Sequence, residues 1–392
     1  MGLSLYLHIP FCQVRCAYCD FNTYAGLQEL MPAYARALAQ EIHLTSFSPS
    51  PDGTARQETI VPGAERSGRG PGGEVHTIFF GGGTPSLLPL SLLSEIFAAL
   101  RVSFELKPDC EITLEANPGT VSLAYLEGLR ALGVNRLSFG VQSARSTELR
   151  LLDRQHSFEQ VIEAVRFARA AGFDNLNLDL IFGIPHQTLA AWQQTLTQTL
   201  SLTPNHLSLY ALSLEFGTPM RAWVYRGLLP MPDPDLAADM YEWACEVLVA
   251  PSFVHYEISN WARANPLNAA SQTRPAALDS QSATRDLRSA TSDPQSAMSD
   301  TCPGRRCRGM RSAISGLRFA CRHNLQYWRN LPYLGFGAGA HGCAGGWRYS
   351  NVLSPRAYIR SVHPLVSESL LTVVFPSRPR SPKNCQLTAR PR

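Results

Sequence analysis

Short apolar, β-branched runs alternate along this chain with longer stretches whose apolar residues recur every three or four positions. The runs fall at 3–9, 75–80, 110–115, 136–142, 175–181 and 206–213. Between them the periodicity predicts helices over about 31–43, 89–101, 122–132, 158–171 and 189–201. In 158–171, for example, Phe158, Val161, Ile162, Val165, Phe167 and Ala168 fall near one helical stripe, and Gly172 follows as a stop. Strand–helix alternation repeated six times predicts parallel strands joined by crossover helices. Closed or nearly closed, that is an α/β fold of the (β/α)6 type, a partial TIM-type barrel. Its functional residues belong at the C-terminal ends of the strands.

Other stretches lack this order. Residues 46–74 are rich in Ser, Pro, Gly and charge, and read as an irregular loop extending the first crossover. Residues 264–318 repeat Ala, Ser, Arg, Asp and Thr with few large hydrophobics, a composition that cannot offset its ordering entropy and predicts a disordered insert. The insert separates two segments that belong together, 256–263 and 321–328. The expected organisation is a core over 1–263, the insert, a remainder of the core over 319–360, and an unstructured Pro/Ser/Arg-rich tail over 361–392.

Composition narrows the class. A chain of 392 residues, 45% of them hydrophobic, can bury a large core, and no run reaches the roughly 18 apolar residues of a membrane span. A formal charge of +4 is too mild to point to nucleic acid. The chain opens almost at once on a strand-like segment, so a cleaved leader is not expected, and free thiols fit a reducing, cytoplasmic compartment.

The chemistry concentrates after the first strand, where Cys12, Cys16 and Cys19 are spaced CxxxCxxC. Three thiolates this close can hold three corners of a cubane iron–sulfur cluster, leaving one iron for a small molecule. The same residues can also serve structural zinc with His8 as fourth ligand, or bind no metal. Cys110, Cys245, Cys302, Cys307, Cys321, Cys343 and Cys385 are scattered and read as incidental thiols. The second strand ends in Gly81-Gly82-Gly83-Thr84, a glycine turn that admits close backbone approach or is a tight turn alone. Glu115, Gln142 and Asp179 follow at the third, fourth and fifth strands. A carboxylate there suits ribose hydroxyls or an ammonium group. Arg154 fits the same mouth or a surface ion pair.

Cysteine loop and glycine turn, in this order, resemble the radical S-adenosylmethionine (SAM) superfamily. The contexts Glu115-Ala-Asn117-Pro118, Arg136 to Gln142, Leu151 to His156 and Asn177 to Pro185 resemble one branch of it, which holds the oxygen-independent coproporphyrinogen III dehydrogenases and the HemW heme chaperones. The resemblance covers 3–43, 75–263 and 320–360. It implies a radical SAM partial barrel with a 4Fe-4S cluster on Cys12, Cys16 and Cys19, SAM on the open iron, and heme as a further ligand. It carries SAM contacts onto Tyr6, Tyr18, Gly82, Gly83, Thr84, Glu115, Gln142, Arg154, Asp179 and Ala211, and onto His341 near a further SAM-facing position. The dehydrogenases carry another cysteine two positions beyond the third, where this chain has Phe21, and an extension before the cluster strand, where this sequence has only a few residues. His323-Asn324-Leu-Gln-Tyr327-Trp328 instead matches the HNxxYW signature of the chaperones. An imidazole there can be an axial iron ligand, and aromatic faces can pack on a porphyrin, although a core histidine would look the same. The resemblance therefore implies a heme chaperone that passes heme to acceptor proteins, with porphyrin decarboxylation or a truncated, inactive relative as the alternatives. The relatives continue into a helical C-terminal domain, whereas this sequence turns Ser/Arg/Pro-rich after Tyr358.

Overall fold

The computed structural model describes residues 2–45, 74–250, 252–264, 317–344 and 347–362. The expected loop at 46–74, the insert and the tail thus fall almost wholly outside the described residues. All six expected strands form: β1 Leu3–Ile9, β2 Glu74–Gly82, β3 Glu105–Ala116, β4 Arg136–Gln142, β5 Asn175–Phe182 and β6 His206–Ala211. They pair in that order, each parallel to the next. The crossover helices are α1 Met31–Thr45, α2 Leu90–Ser103, α3 Leu123–Leu132, α4 Ser146–Leu151, α5 Phe158–Ala170 and α6 Leu189–Ser201. Their starts follow capping chemistry. Ser157 and Gln160 make a reciprocal capping box on α5, while Ser122 and Thr188 cap α3 and α6.

Two more helices, α7 Pro219–Tyr225 and α8 Pro234–Val247, lead into a hairpin of β7 Phe253–Glu257 and β8 Asn260–Arg263, with β8 antiparallel to β6. The chain then forms α9 Arg322–Trp328, β9 Tyr333–Phe336, β10 His341–Ala344, β11 Trp347–Ser350 and α10 Pro355–Val362. Strand β9 lies parallel to β1 on its free edge, so seven parallel strands stand together where six were expected. The sheet runs β11-β10-β9-β1-β2-β3-β4-β5-β6-β8-β7, and among the described residues its two ends do not pair, which leaves a partial barrel. Glu41 of α1 holds the late segment in place by accepting from Gly337 N–H (2.8 Å), Asn351 Nδ2 (2.7 Å) and the Tyr358 hydroxyl.

The strands alternate over most of their length. Leu5, Leu7 and Ile9, Ile78 and Phe80, Ile112 and Leu114, Leu137 and Phe139, Leu176 and Leu178, and Leu207 and Leu209 are buried in the main hydrophobic core. Each such side chain contributes roughly 1.5–3 kcal/mol, enough for one face of the sheet to dominate folding. Most residues on the other face are polar, yet also buried: Ser4, His8, Thr77, Glu111, Thr113, Arg136, Ser138, Asn177, His206 and Ser208.

The interior is capped at its lower end by α9. Glu111 accepts from the backbone N–H of Arg322 (3.0 Å) and of His323 (3.1 Å), and from the Cys321 thiol (3.6 Å). A carboxylate at a helix N-terminus satisfies orphan donors and meets the positive end of the helix dipole. Glu111→Ala is therefore expected to destabilise the protein by about 3 kcal/mol, because buried donors lose a charged acceptor. Ser157→Ala should cost only about 1 kcal/mol. Urea unfolding checks both, and equal losses would remove α9 capping as a major interaction.

Candidate functional site

The upper ends of the strands open on a cavity of about 340 Å³. Cys12, Cys16, Tyr18, Cys19, Gly82, Gly83, Thr84, Glu115, Gln142, Arg154, Asp179 and Ala211 all line it. Residues named from five strands and the first loop thus share one wall. Three named residues do not line it.

The cysteine loop leaves β1 and is pinned at several points. Tyr24 N–H bonds Pro10 O (2.7 Å), Ala17 N–H bonds Leu152 O (3.3 Å), and Met220 N–H bonds Ala17 O (3.0 Å). Just after β2, Gly83 N–H and Thr84 N–H reach Ile9 O (2.8 Å) and Phe11 O (2.7 Å). These contacts explain the glycines. A Cβ on Gly83 would lie 2.6 Å from Phe11 O, and Gly82 has φ +112° with the His8 ring 2.4 Å from its Cβ position.

All three thiols are free. Each has its own polar neighbour: Thr84 Oγ1 at 3.6 Å for Cys12, Arg154 Nη1 at 3.6 Å for Cys16 and Thr23 Oγ1 at 3.9 Å for Cys19. Burial pushes the Cys12 and Cys19 thiols up, so a positive partner is needed to ionise them. Among the described residues no three His, Cys, Asp or Glu side chains converge as ligands of one ion. A cubane asks for less, since each thiolate takes a different iron. The zinc alternative fails on His8, whose Nδ1 bonds the Tyr6 hydroxyl (2.9 Å) and whose Nε2 bonds Asn22 O (2.9 Å). A zinc ligand needs one of those nitrogens free.

Arg154 lies in this wall, not in a surface ion pair. Its Nη2 donates to Asn117 Oδ1 (2.6 Å) and Gly140 O (2.5 Å), while its buried Nε has no partner. An orphaned donor beside the thiols suits an anionic or oxygen-bearing ligand. Asn117 also donates to Thr84 Oγ1 (3.1 Å), linking the second and third strand ends. Its signal in the sequence is the strand-end context Glu115-Ala-Asn117-Pro118. Gln142 ends β4 at φ +66°, in the left-handed region, where the ladder to β5 shifts register. Such strain persists where surrounding contacts over-determine it.

Two carboxyl groups face the cavity. Burial, with the Asp179 charge adding, pushes Glu115 up to about 8, against the opposing bond from Gly82 N–H (3.1 Å) and the charge of Arg136. Burial also raises Asp179, opposed by hydrogen bonds and by Arg136. Asp179 Oδ1 accepts from Asn177 Nδ2 (2.7 Å) and Oδ2 from Ser138 Oγ (2.9 Å).

Tyr6, His341 and His323 do not line this cavity. Tyr6 pairs with Phe79, three residues short of the strand ends at Ile9 and Gly82, and packs against the Phe79 ring. His341 is exposed on β10, outside the wall. His323 is 1% exposed, with Nδ1 on Thr77 Oγ1 (2.8 Å) and Nε2 on the Tyr327 hydroxyl (2.9 Å). Burial and Arg136 lower its pKa to about 3, so it is neutral. With both nitrogens engaged it does not fit an axial heme ligand. The exposed members of the motif are Tyr327 (40%) and Trp328 (55%).

Comparison with known proteins agrees with this geometry. The Radical SAM superfamily profile matches residues 6–198. A protein named heme chaperone HemW from Synechocystis is 34% identical over 364 residues, spanning 91% of this chain and 70% of its own length. HemW from Bacillus subtilis is 33% identical, spanning 91% and 75%. The bovine mitochondrial radical S-adenosyl methionine domain-containing protein 1 is 38% identical over 69% of this chain and 56% of its own. Among solved structures, coproporphyrinogen III oxidase (HemN) from Escherichia coli superposes with a TM-score of 0.65 at 25% identity, covering 92% of this chain and 69% of that one. With these relatives and this site geometry, the chain belongs to the radical SAM superfamily and, within it, to the HemW family.

Proposed function

We propose that this protein is a heme chaperone that holds a 4Fe-4S cluster on Cys12, Cys16 and Cys19, binds SAM in the adjoining cavity, and passes heme to acceptor proteins in the cytoplasm. The observation that carries the cofactor reading is the single cavity wall shared by the cysteine loop, Gly82, Gly83, Thr84, Glu115, Gln142, Arg154, Asp179 and Ala211. The heme part rests on the relatives named heme chaperone and on the HNxxYW match. Among the described residues no helix is long and apolar enough to cross a membrane.

The bound cluster would supply an iron with an open position and an electron source. The chain's own residues do the positioning. The glycine turn brings backbone close to the ligand, Asp179 and Glu115 accept hydroxyl or ammonium donors, and the Arg154 Nε offers the remaining donor. Phe21 stands at the rim, 65% exposed, where the dehydrogenases carry a cysteine.

Substituting any one of the three cysteines with Ala should abolish stoichiometric iron and sulfide uptake on anaerobic reconstitution, while Cys110→Ala should not. Full loading of Cys16→Ala would sink the ligand assignment.

SAM affinity should rise with pH through about 8, because Glu115 is protonated below that value and binding a cationic ligand favours its ionised form. Asp179, Arg136, Tyr6 and Tyr210 are the other titratable or charged groups acting on that site. Glu115→Gln should flatten this dependence between pH 6.5 and 8.5. Isothermal titration of the reconstituted protein checks it, and an unchanged slope in the variant would remove Glu115 from the site.

An anaerobic heme titration followed by absorbance should saturate near one heme per chain. Trp328→Ala should weaken binding by about fivefold, within the range for losing an aromatic contact. His323→Ala should leave the spectrum of bound heme unchanged. A lost axial-ligand signature in His323→Ala would restore His323 as ligand. No saturable binding would overturn the chaperone reading, and porphyrin product analysis would then test decarboxylation.

A further inference from the structure

Between the cavity and α9 runs a chain of buried hydrogen bonds whose direction is fixed at every link. Asn177 Nδ2 carries two hydrogens and has two acceptors, Ser138 Oγ (2.7 Å) and Asp179 Oδ1 (2.7 Å). Its Oδ1 is therefore the acceptor facing His206 Nδ1 at 2.6 Å. His206 must then carry its proton on Nδ1, which leaves a lone pair on Nε2. The Tyr256 hydroxyl, 2.8 Å from Nε2, has to donate to it. The same Tyr256 oxygen accepts the N–H of Cys321 (3.2 Å), the residue that opens α9. At the other end, Ser138 receives from Asn177 and gives its own proton to Asp179 Oδ2 (2.9 Å). Both oxygens of Asp179 are thus acceptors, as a carboxylate requires. His206, Asn177, Ser138 and Tyr256 are all buried, so water does not compete for these links. Burial together with the Arg136 charge keeps His206 neutral, in keeping with the tautomer the contacts demand.

We propose that Tyr256, His206, Asn177 and Ser138 are positioning residues that hold the Asp179 carboxylate toward SAM, and that through Cys321 they tie that carboxylate to the helix carrying HNxxYW. The inference rests on the SAM reading above. Apolar side chains would fill the same space and leave Asp179 free to rotate or take a proton. A link at either end then affects the other: withdrawing α9 removes a donor from the Tyr256 oxygen, and a ligand that fixes Asp179 orders the chain down to Cys321. Coupling of this kind is reciprocal in binding free energy.

The test uses the full chain, reconstituted anaerobically, with SAM affinity read by titration and by the change SAM induces in the electron paramagnetic resonance of the reduced cluster. His206→Leu should raise the SAM Kd about tenfold at unchanged iron content. His206→Gln, whose amide can donate to Asn177 and accept from Tyr256, should recover to within about threefold of wild type. Tyr256→Phe should weaken SAM about threefold and speed amide exchange at 321–328, a readout that loss of packing at His206 would not produce. If His206→Leu does not fold, Tyr256→Phe decides. Wild-type SAM affinity and exchange in Tyr256→Phe would overturn the proposal. A wild-type protein that binds no SAM would overturn the SAM reading, and the exchange at 321–328 would still decide whether the chain holds α9.

Discussion

Placing carboxylates, a guanidinium, imidazoles and amides inside a curved sheet whose outer face is sealed by helices imposes one constraint on everything else: each buried polar group must find a partner among its neighbours. The register sets these groups in rows, and among the described residues only the buried side-chain atoms Thr113 Oγ1, Arg136 Nε, Arg154 Nε and Asn175 Oδ1 lack a partner. Ser4, Thr77 and Glu111 lie opposite one another, then Tyr6, Phe79, Thr113, Arg136 and Asn175, then Glu115, Ser138, Asn177 and His206. The lowest row receives α9 and its His323. The highest row carries Glu115 and abuts Asp179, and only there does the interior open on a cavity. Arg136, buried between Glu111 and Asp179, supplies the positive charge that opposes the cost of burying carboxyl groups on both sides.

This arrangement explains why the upper end can hold reactive groups while the lower end is inert. A polar side chain at the bottom is surrounded on all sides and spends its hydrogen bonds on neighbours, as His323 does on Thr77 and Tyr327. At the top, strand ends and loops leave one side of each residue to the cavity. Arg154 spends Nη2 on Asn117 and Gly140 and Nη1 on Cys16, and still lines the cavity. The same polar chemistry therefore reads as scaffold or as site according to whether the side chain borders the cavity.

Much of this was legible in the sequence. Strand–helix alternation placed all six strands, and the five expected helices lie within two residues of the observed ends. The cysteine and glycine motifs gave the site because they are local: eight residues for one, four for the other. The seventh parallel strand, Tyr333–Phe336, escaped because four residues carry little periodicity and its partner β1 lies over three hundred residues away in sequence. The polar interior escaped for another reason. Ser4-Leu-Tyr6-Leu-His8, Arg136-Leu-Ser138-Phe and Asn175-Leu-Asn177-Leu-Asp179 alternate with period two, which in a single strand looks the same whether the polar side meets water or a barrel interior. Only the sheet's curvature decides between them.

His323 shows the limit of carrying a motif's meaning by residue type. A histidine four residues before a tyrosine on a helix brings the two side chains to one face, which suits a shared ligand and equally suits a hydrogen bond between them. Here the bond forms, and the helix N-terminus beneath it is anchored by Glu111 and Tyr256. Freeing His323 for iron would break the hydrogen bonds of its ring to Thr77 and Tyr327, each costing about 1–3 kcal/mol. A heme seat on the outer faces of Tyr327 and Trp328 carries no such cost. Packing of the interior therefore separates the two roles of the signature: its histidine fastens the helix to the barrel, and its aromatic pair is left to meet whatever approaches from outside.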